Sequence, residues 1–161
     1  MLPAGAIRFR AARPEDDRAL RVLLEAAGLP VADVATGRQE YLLAFDGEQV
    51  VGAVGLEAVG EDGLLRSLAV APAWRGRGIA RELHEGILTL ARDRGLRTLY
   101  LLTTTAEDFA AKGGFERVDR SEVSPEVHGL AQFRALCPAT AVCMRRRVGS
   151  SSERTLIAAC D

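Results

Sequence analysis

The segment VAPAWRGRGIA, residues 70–80, decides how this chain folds. An apolar run over residues 64–70 leads into it and predicts a strand that Pro72 ends. After the loop, Ile79 and Leu83 begin an apolar stripe at helical spacing. Two arginines and two glycines therefore connect a strand to a helix.

This junction has the composition of an anion-binding site. Backbone N–H groups point outward from the start of a helix, and glycine lets a bulky anion approach them closely. Arg75 and Arg77 can add charge-assisted hydrogen bonds. The pattern predicts a diphosphate cradle, and it also fits a basic loop that glycines cap.

Two common phosphate motifs are excluded. A P-loop requires Gly-Lys-Ser/Thr at its end, and the chain has no such tripeptide. A dinucleotide fingerprint requires a third glycine where Arg81 stands, and an acidic residue at the end of the next strand, where Thr103 stands. The cradle therefore follows a different pattern.

Composition is that of an ordinary globular protein. The chain has 161 residues, 48% of them hydrophobic, and a net charge of −1. This near-neutral charge gives no global case for a nucleic acid or membrane partner. No apolar run of about eighteen residues predicts a bilayer span, and the N-terminus lacks a signal-peptide pattern. Three cysteines without metal spacing predict reduced thiols in a cytoplasmic protein with no metal site.

Strands and helices alternate along the chain, and hairpins also occur. This order predicts an α/β fold with a mixed central sheet of six to seven strands and helices on both faces. Residues 1–148 are predicted to form one domain, and the Ser-rich residues 149–161 a mobile tail. Strands are predicted at residues 7–11, 41–45, 49–56, 64–70, 97–103, 115–118 and 139–144. Helices are predicted after Arg13 and Gly78, from Thr105 to Gly113, near residues 126–133 and within residues 29–38.

The junction also resembles a known signature. Residues 70–80 resemble the acetyl-CoA signature of the GNAT N-acetyltransferase family, Arg/Gln-x-x-Gly-x-Gly/Ala after a strand, and Gly114-Phe115 resembles the end of its second half. The resemblance implies a GNAT fold, with acetyl-CoA as co-substrate. It implies that Phe109 contacts the cofactor and that the pantetheine arm pairs with Leu68, Ala69 and Val70. It implies that the diphosphate lies on the amides of Arg75, Gly76, Arg77, Gly78, Ile79 and Ala80.

Three further segments of the sequence resemble one subgroup of this family. GLLRSLAV, YLLTTTAEDF and QFRALCPATAVCM are similar to the subgroup found in arsenic-resistance operons, whose relatives acetylate the amine of arsinothricin. The subgroup implies a small amino-acid-like amine as acceptor. Dimers are frequent in the family, so the resemblance also allows a homodimer.

The sequence departs from the family at the residue that serves as general acid. Family members often place a tyrosine in the short helix to protonate the departing thiolate, and here Ala110 stands at that position. A thiol of pKa about 8.5 leaves readily near neutral pH, so the loss costs less than it would for an alkoxide. A water or one of the threonines at 103–105, with Thr104 as our candidate, could assist.

Glu57 is the best candidate for the general base, and another base in the site is left open. Neutralising an α-amine at pH 7 costs about 1 kcal/mol, and neutralising a lysine costs about 4.6 kcal/mol. A site without an evident base therefore favours an α-amine. Glu57 lies near the end of its strand, and its alternative role is a cross-strand ion pair with Arg66. Arg66 lies among leucines and needs a partner, which is either Glu57 or a substrate carboxylate.

The remaining candidates each have a plainer alternative. Ser67 binds substrate or only packs, and His128 lines the substrate entrance or lies in an ordinary loop. His84 is expected on the surface. Cys137 and Cys143 could bind arsenic together only if Pro138 turns the chain, and buried unreactive thiols are the alternative.

These observations predict an acetyltransferase that acts on a small-molecule amine by direct attack in a ternary complex. The alternative enzyme is a protein lysine acetyltransferase. The alternative outside enzymes is an acyl-CoA-binding sensor that has lost the chemistry, which Ala110 favours.

Overall fold

The computed structural model describes residues 6–32, 34, 39–130, 133 and 140–148. Within them, seven strands form one mixed sheet in the order β1-β2-β3-β4-β5-β7-β6, which confirms the predicted α/β class. The strands are β1 Ile7–Ala11, β2 Gln39–Asp46, β3 Gln49–Val59, β4 Asp62–Val70, β5 Thr98–Thr103, β6 Glu116–Arg117 and β7 Val142–Arg147. The helices are α1 Asp17–Ala26, α2 Ile79–Asp93, α3 Glu107–Lys112 and α4 Pro125–His128.

The chain divides into two compact units. The first contains the residues up to Leu56 together with Ser67–Ile87, and the second contains Glu57–Arg66 together with the residues from Leu88 onward. Half of the residues in the helix predicted within 29–38 lie outside the described residues, and the described ones, 29–32 and 34, are not helical. The predicted tail and Cys137 lie outside the described residues.

In the first unit, α1 and α2 cover opposite faces of the sheet. Leu24 of α1 packs with Leu43 of β2 in one core cluster. On the other face, a Cβ at Gly52 of β3 would lie 3.1 Å from Leu83 and 3.2 Å from Ile79, both in α2. Glycine at this position therefore lets the start of α2 approach the strands closely.

Asp16 joins β1 to the start of α1. Its carboxylate accepts hydrogen bonds from Arg10 Nη1 at 2.7 Å, from Arg10 Nη2 at 3.1 Å and from the Arg13 backbone N–H at 2.7 Å. The hydrogen bond from Arg10 lowers the pKa of Asp16, against a smaller opposing effect of burial. The charged form of Asp16 therefore stabilises the folded state.

Replacing Asp16 with Asn should lower stability most near neutral pH. Because the folded-state pKa is lowered, the stabilisation is present above the unfolded-state pKa and is lost as pH falls through the folded-state pKa. Urea unfolding at pH 7 and near pH 3 should show the gap between wild type and Asp16→Asn closing on acidification. A gap that is constant with pH would contradict this role.

In the second unit, β5 lies between β4 and β7. Its ladder with β4 is parallel and pairs Leu64 with Tyr100, and its ladder with β7 is antiparallel and pairs Tyr100 with Arg145. Leu64 and Tyr100 pack with Val127 of α4 and with Cys143 of β7. This cluster is the core on which α4 rests.

Arginines hold both ends of the short helix α3. Arg117 forms two hydrogen bonds to the carboxylate of Glu107 in its first turn. Arg146 of β7 donates from Nη1 to the Gly113 carbonyl at 2.9 Å, where the helix ends. A helix of six residues is unstable alone, so these contacts help keep it folded.

Several predicted boundaries were wrong by a few residues. The turn before β4 lies at Gly60-Glu61, where Gly60 has φ +60°, and Asp62 already belongs to the strand. The last strand continues to Arg147, because its backbone pairs with β5 although its side chains become charged. A strand boundary set by apolar side chains misses such pairing.

Two further expectations were also wrong. The helix predicted from Thr105 begins at Glu107, and Thr103 Oγ1 before it accepts from the N–H groups of Ala106 at 2.8 Å and Thr105 at 3.3 Å. His84 is buried, with 5% of its surface exposed. Its neighbours Leu83 and Leu88 are buried too, so the buried face of α2 is wider than its apolar stripe.

Candidate functional site

The predicted cradle connects the end of β4 to the start of α2 within the first unit. The Ala71 N–H donates to the Val51 carbonyl at 2.8 Å, which fixes the start of the loop on β3. Gly76 and Gly78 have φ values of +77° and +82°. Only glycine adopts such a conformation without strain, so the loop needs glycine at both positions.

The outer face of this loop is open. A Cβ at Gly76 or Gly78 would meet no atom within 4 Å. The Gly78 carbonyl accepts from the Glu82 N–H at 3.1 Å, which marks the beginning of α2. The first N–H groups of a helix lack intrahelical acceptors and carry its positive dipole end. The loop therefore offers backbone donors beside an open surface, as a diphosphate requires.

The two arginines of the loop are exposed. Arg75 Nε donates to the Val70 carbonyl at 3.1 Å, which leaves the rest of its guanidinium available. The Arg77 guanidinium lies 4.8 Å from the centroid of the Trp74 ring. Trp74 thus orients one of the two cations.

Ser67 interrupts the regular backbone of β4. Its φ is +57°, and it is the one non-glycine residue with positive φ in the described part of the chain. A left-handed conformation costs a non-glycine residue about 1–2 kcal/mol, so the surrounding structure must enforce it. Strained residues of this kind cluster at functional sites. The predicted pantetheine partners Leu68, Ala69 and Val70 follow directly in the strand.

Glu57 and Arg66 form a buried ion pair in the second unit. Arg66 Nη1 lies 3.2 Å from Glu57 Oε1, and the two side chains are 0% and 6% exposed. Of the two partners predicted for Arg66, the structure therefore shows Glu57. The Arg66 side chain is 0% exposed, so a substrate carboxylate does not reach its guanidinium in this conformation.

The other predicted site residues of the second unit lie on three different elements. Thr104 is exposed and directly follows β5, while Phe109 is half-buried in α3 beside the buried Ala110. His128 ends α4, and its Nε2 lies 2.6 Å from the Arg120 carbonyl. Its ring also makes an edge contact with Phe133, at 4.6 Å between centroids. His128 therefore already has a structural role.

Arg117, Arg120 and Arg146 were missed by the sequence analysis. Arg117 and Arg146 hold α3, and the Arg120 side chain donates to the Ala141 carbonyl at 2.9 Å while its own carbonyl contacts His128. Arginines in charged stretches are usually read as solvated. Nothing in their spacing indicates that each one binds a backbone carbonyl or a helix terminus.

Cys143 is buried, which supports the plainer of its two interpretations. It is 3% exposed and packs in the core of the second unit. Burial raises the pKa of its thiol to about 11. Metal and arsenic capture require the thiolate, so this cysteine is poorly suited to either.

A variant with Cys143 as its only cysteine should resist thiol reagents. In Cys137→Ser/Cys160→Ser, a disulfide reagent at pH 8 should label the folded protein slowly and the denatured protein at once. The physical reason is that both the thiolate fraction and the access of the reagent are low. Rapid labelling of the folded variant would mean that the Cys143 thiol is accessible and reactive, and arsenic binding by Cys143 would again be a valid hypothesis.

Comparison with known proteins assigns the family. Residues 8–119 match the family described as Acetyltransferase (GNAT) family. This match covers more than half of the chain, so the chain belongs to the GNAT acetyltransferases, a family of acyltransferases.

Individual relatives agree with this assignment. A stretch of 80 residues is 36% identical to the amino-acid acetyltransferase of Mycobacterium tuberculosis, and it covers 49% of this chain and 45% of that protein. N-acetylglutamate synthase from Neisseria gonorrhoeae, solved with coenzyme A and N-acetyl-glutamate, superposes with a TM-score of 0.74 at 19% identity, over 88% of this chain and 35% of that chain. Rv2747 from Mycobacterium tuberculosis, solved with CoA and a compound abbreviated NLQ, has a TM-score of 0.72 at 26% identity, over 87% and 98%.

These similarities have a limited extent. The match spans less than half the length of the amino-acid acetyltransferase and about a third of the N-acetylglutamate synthase chain. Of the helices in the described ranges, none has the length and apolar character that crossing a bilayer requires.

Proposed function

We propose that this protein transfers the acetyl group of acetyl-CoA to the free α-amine of a small amino-acid-like molecule. The observation that carries the proposal is the loop with glycines at φ +77° and +82°, beside two exposed arginines and the start of α2. The family assignment supports it. So do relatives named as an amino-acid acetyltransferase and as an N-acetylglutamate synthase.

Each part of the loop has a role in this proposal. The amides of residues 75–80, with the Arg75 and Arg77 side chains, bind the diphosphate. The backbone of Leu68, Ala69 and Val70 pairs with the pantetheine arm, and Phe109 adds an apolar contact. Acetyl-CoA supplies a thioester, whose carbonyl carbon is open to attack by an amine.

The transfer is a direct attack. The amine nitrogen forms a bond to the carbonyl carbon, the carbon–sulfur bond breaks and the thiolate of CoA leaves. The amine nitrogen gives up a proton to water, and the thiolate takes up one proton in turn, so the products are the amide and the free thiol. Ala110 cannot protonate the thiolate, so water or Thr104, which is exposed after β5, would do so. Because a thiol has a pKa of about 8.5, its thiolate is a weak base and can leave before it is protonated.

The ion pair between Glu57 and Arg66 supports an α-amine as the acetyl acceptor. The Glu57 carboxylate is paired with Arg66, so its use as a base competes with that ion pair. An α-amine needs only about 1 kcal/mol to be neutral at pH 7, against about 4.6 kcal/mol for lysine. We therefore favour an α-amine over a protein lysine. Ser67 and His128 are our candidates for contacts to the acceptor, and arsinothricin is the acceptor that the subgroup resemblance suggests.

Thiol release from acetyl-CoA tests the proposal. The panel contains amino acids including glutamate, arsinothricin and its phosphorus analogue, and a lysine peptide. Release with the free amino acids, rising with pH as the α-amine loses its proton, is the expected result. Release with the peptide alone would make the protein a lysine acetyltransferase. CoA binding without release for any acceptor would favour the acyl-CoA sensor, for which Ala110 is the supporting observation.

A further inference from the structure

A cavity beside the cradle shares Val70 and Arg75 with it, and its other lining residues have no role in the proposed transfer. It lies within the first unit and has a volume of about 620 Å³. Ligand sites typically measure about 300–1,000 Å³, so this cavity could hold a small molecule. It is lined by one side of α1, by the turn and first residues of β3, and by the chain that follows β4.

The wall formed by α1 is a second apolar stripe. Ala19, Val22, Leu23 and Ala26 line the cavity, and their spacing of three, four and seven residues places them along one side of the helix. The core of the unit uses Leu20 and Leu24, and Leu23 packs against its edge. Ala19, Val22 and Ala26 are exposed, Val22 to 62%, although a valine on a helix surface gains nothing from solvent. The exposed part of the stripe is therefore available to a ligand with an apolar body.

The edge of the cavity carries both signs of charge. Glu15 and Arg18 lie near the start of α1, Glu48 lies in the turn before β3, and Arg75 lies in the cradle loop. An uncharged apolar ligand would leave all four unused, and an anion would face two carboxylates. A zwitterion with an apolar side chain can pair its carboxylate with an arginine and its ammonium with a glutamate, while its side chain packs on the apolar wall.

We propose that this cavity is a binding site for a free α-amino acid with an apolar side chain. The side chain lies on the α1 stripe, the carboxylate contacts Arg18 or Arg75, and the ammonium contacts Glu15 or Glu48. This ligand is distinct from the acetyl acceptor, a statement that rests on the proposed function. In that function Val70 and Arg75 lie at the diphosphate end of the cofactor, and the thioester lies at the opposite end of the pantetheine arm.

The shared residue Arg75 makes the site regulatory. It lines the cavity and belongs to the proposed diphosphate cradle, so occupancy of one site changes the environment of the other. Coupling between two binding sites is reciprocal. The affinity for CoA should therefore change with the amino acid by the same factor as the affinity for the amino acid changes with CoA.

Titration calorimetry of the full chain without CoA tests the site. L-leucine is compared with L-leucinamide, which lacks the carboxylate, and with 4-methylpentanoate, which lacks the amine. Leucine should bind at least about tenfold more tightly than either analogue. Val22→Asp should weaken leucine binding by about tenfold or more, since it puts a carboxylate on the apolar wall. Thr89→Asp, at an exposed position that does not line the cavity, is the control and should bind as wild type does.

Each contrary outcome has a defined meaning. Equal binding of the analogues, or no binding of leucine, overturns the proposal. Leucine binding that survives Val22→Asp places the ligand elsewhere, for example at the acceptor site, and also overturns it. If wild type binds leucine as expected but does not bind CoA, the proposed function fails while the cavity site stands. Equal leucine affinities with and without CoA would overturn the regulatory role.

Discussion

Gly78→Val should abolish useful CoA binding, with an affinity loss on the order of 100-fold. Gly78 has φ +82°, a conformation that costs a residue with a side chain about 1–2 kcal/mol and a β-branched residue more. The added side chain would also stand on the open face that the diphosphate approaches. Since nothing lies within 4 Å of a Cβ at Gly78, the protein itself has room for it. Titration calorimetry with CoA measures the effect.

Gly95→Val separates backbone strain from ligand contact. Gly95 ends α2 with φ +74°, and a Cβ there also meets nothing within 4 Å. Both variants should lose similar amounts of unfolding free energy in urea, but only Gly78→Val should lose CoA affinity. If Gly78→Val binds CoA as wild type does, the loop is a basic turn capped by glycines and the cradle is refuted.

Removing one partner of the buried pair should cost stability on a scale of about 3–5 kcal/mol. In Glu57→Ala the Arg66 guanidinium, which is 0% exposed, would be left buried without its carboxylate. In Arg66→Met the Glu57 carboxylate would be left buried without its cation. The double variant Glu57→Leu/Arg66→Met removes both charges, so it should recover most of the loss. Chemical denaturation of the four proteins at pH 7 gives the comparison.

A further variant, Glu57→Gln, examines the role of Glu57 in catalysis. Glu57→Gln keeps the shape and still offers an oxygen to Arg66, so it should stay folded. If Glu57 is only a structural partner, this variant retains most of its kcat and its pH profile still follows the amine. A lower kcat together with a change on the acidic side of the pH–rate profile would identify Glu57 as the base. If each single variant loses less than about 1 kcal/mol of unfolding free energy, the ion pair opens readily. Arg66 would then again be a candidate for binding the substrate carboxylate.

Local sequence patterns were sufficient for the order of elements and for the position of the glycine loop. The apolar run of β4, the loop with Gly76 and Gly78, and the apolar stripe of α2 each depend on residues close together in the chain. The need for positive φ is likewise a property of a single residue type. For this reason the strand, the loop and the helix were all predicted in the right place.

Element ends and caps were less predictable, because several nearby groups can satisfy the same backbone donors. Thr103 and Thr105 both precede α3, and the one at the end of β5 makes the hydrogen bonds. β7 extends past its apolar residues because the neighbouring strand supplies backbone partners. Spacing along the chain carries no information on which of these competing contacts forms.

The amino-acid sequence by itself determined the fold class and the family, and it predicted the glycine loop that we propose as the diphosphate cradle. Tertiary structure decided that Arg66 pairs with Glu57, that His84 is buried, and that Cys143 lies in the core with a raised pKa. It also showed that the apolar surface of α1 extends beyond its core residues to the exposed Ala19, Val22 and Ala26. The physical reason is that periodicity and turn chemistry act between neighbours in sequence, whereas burial and ion pairing depend on which distant segments come together.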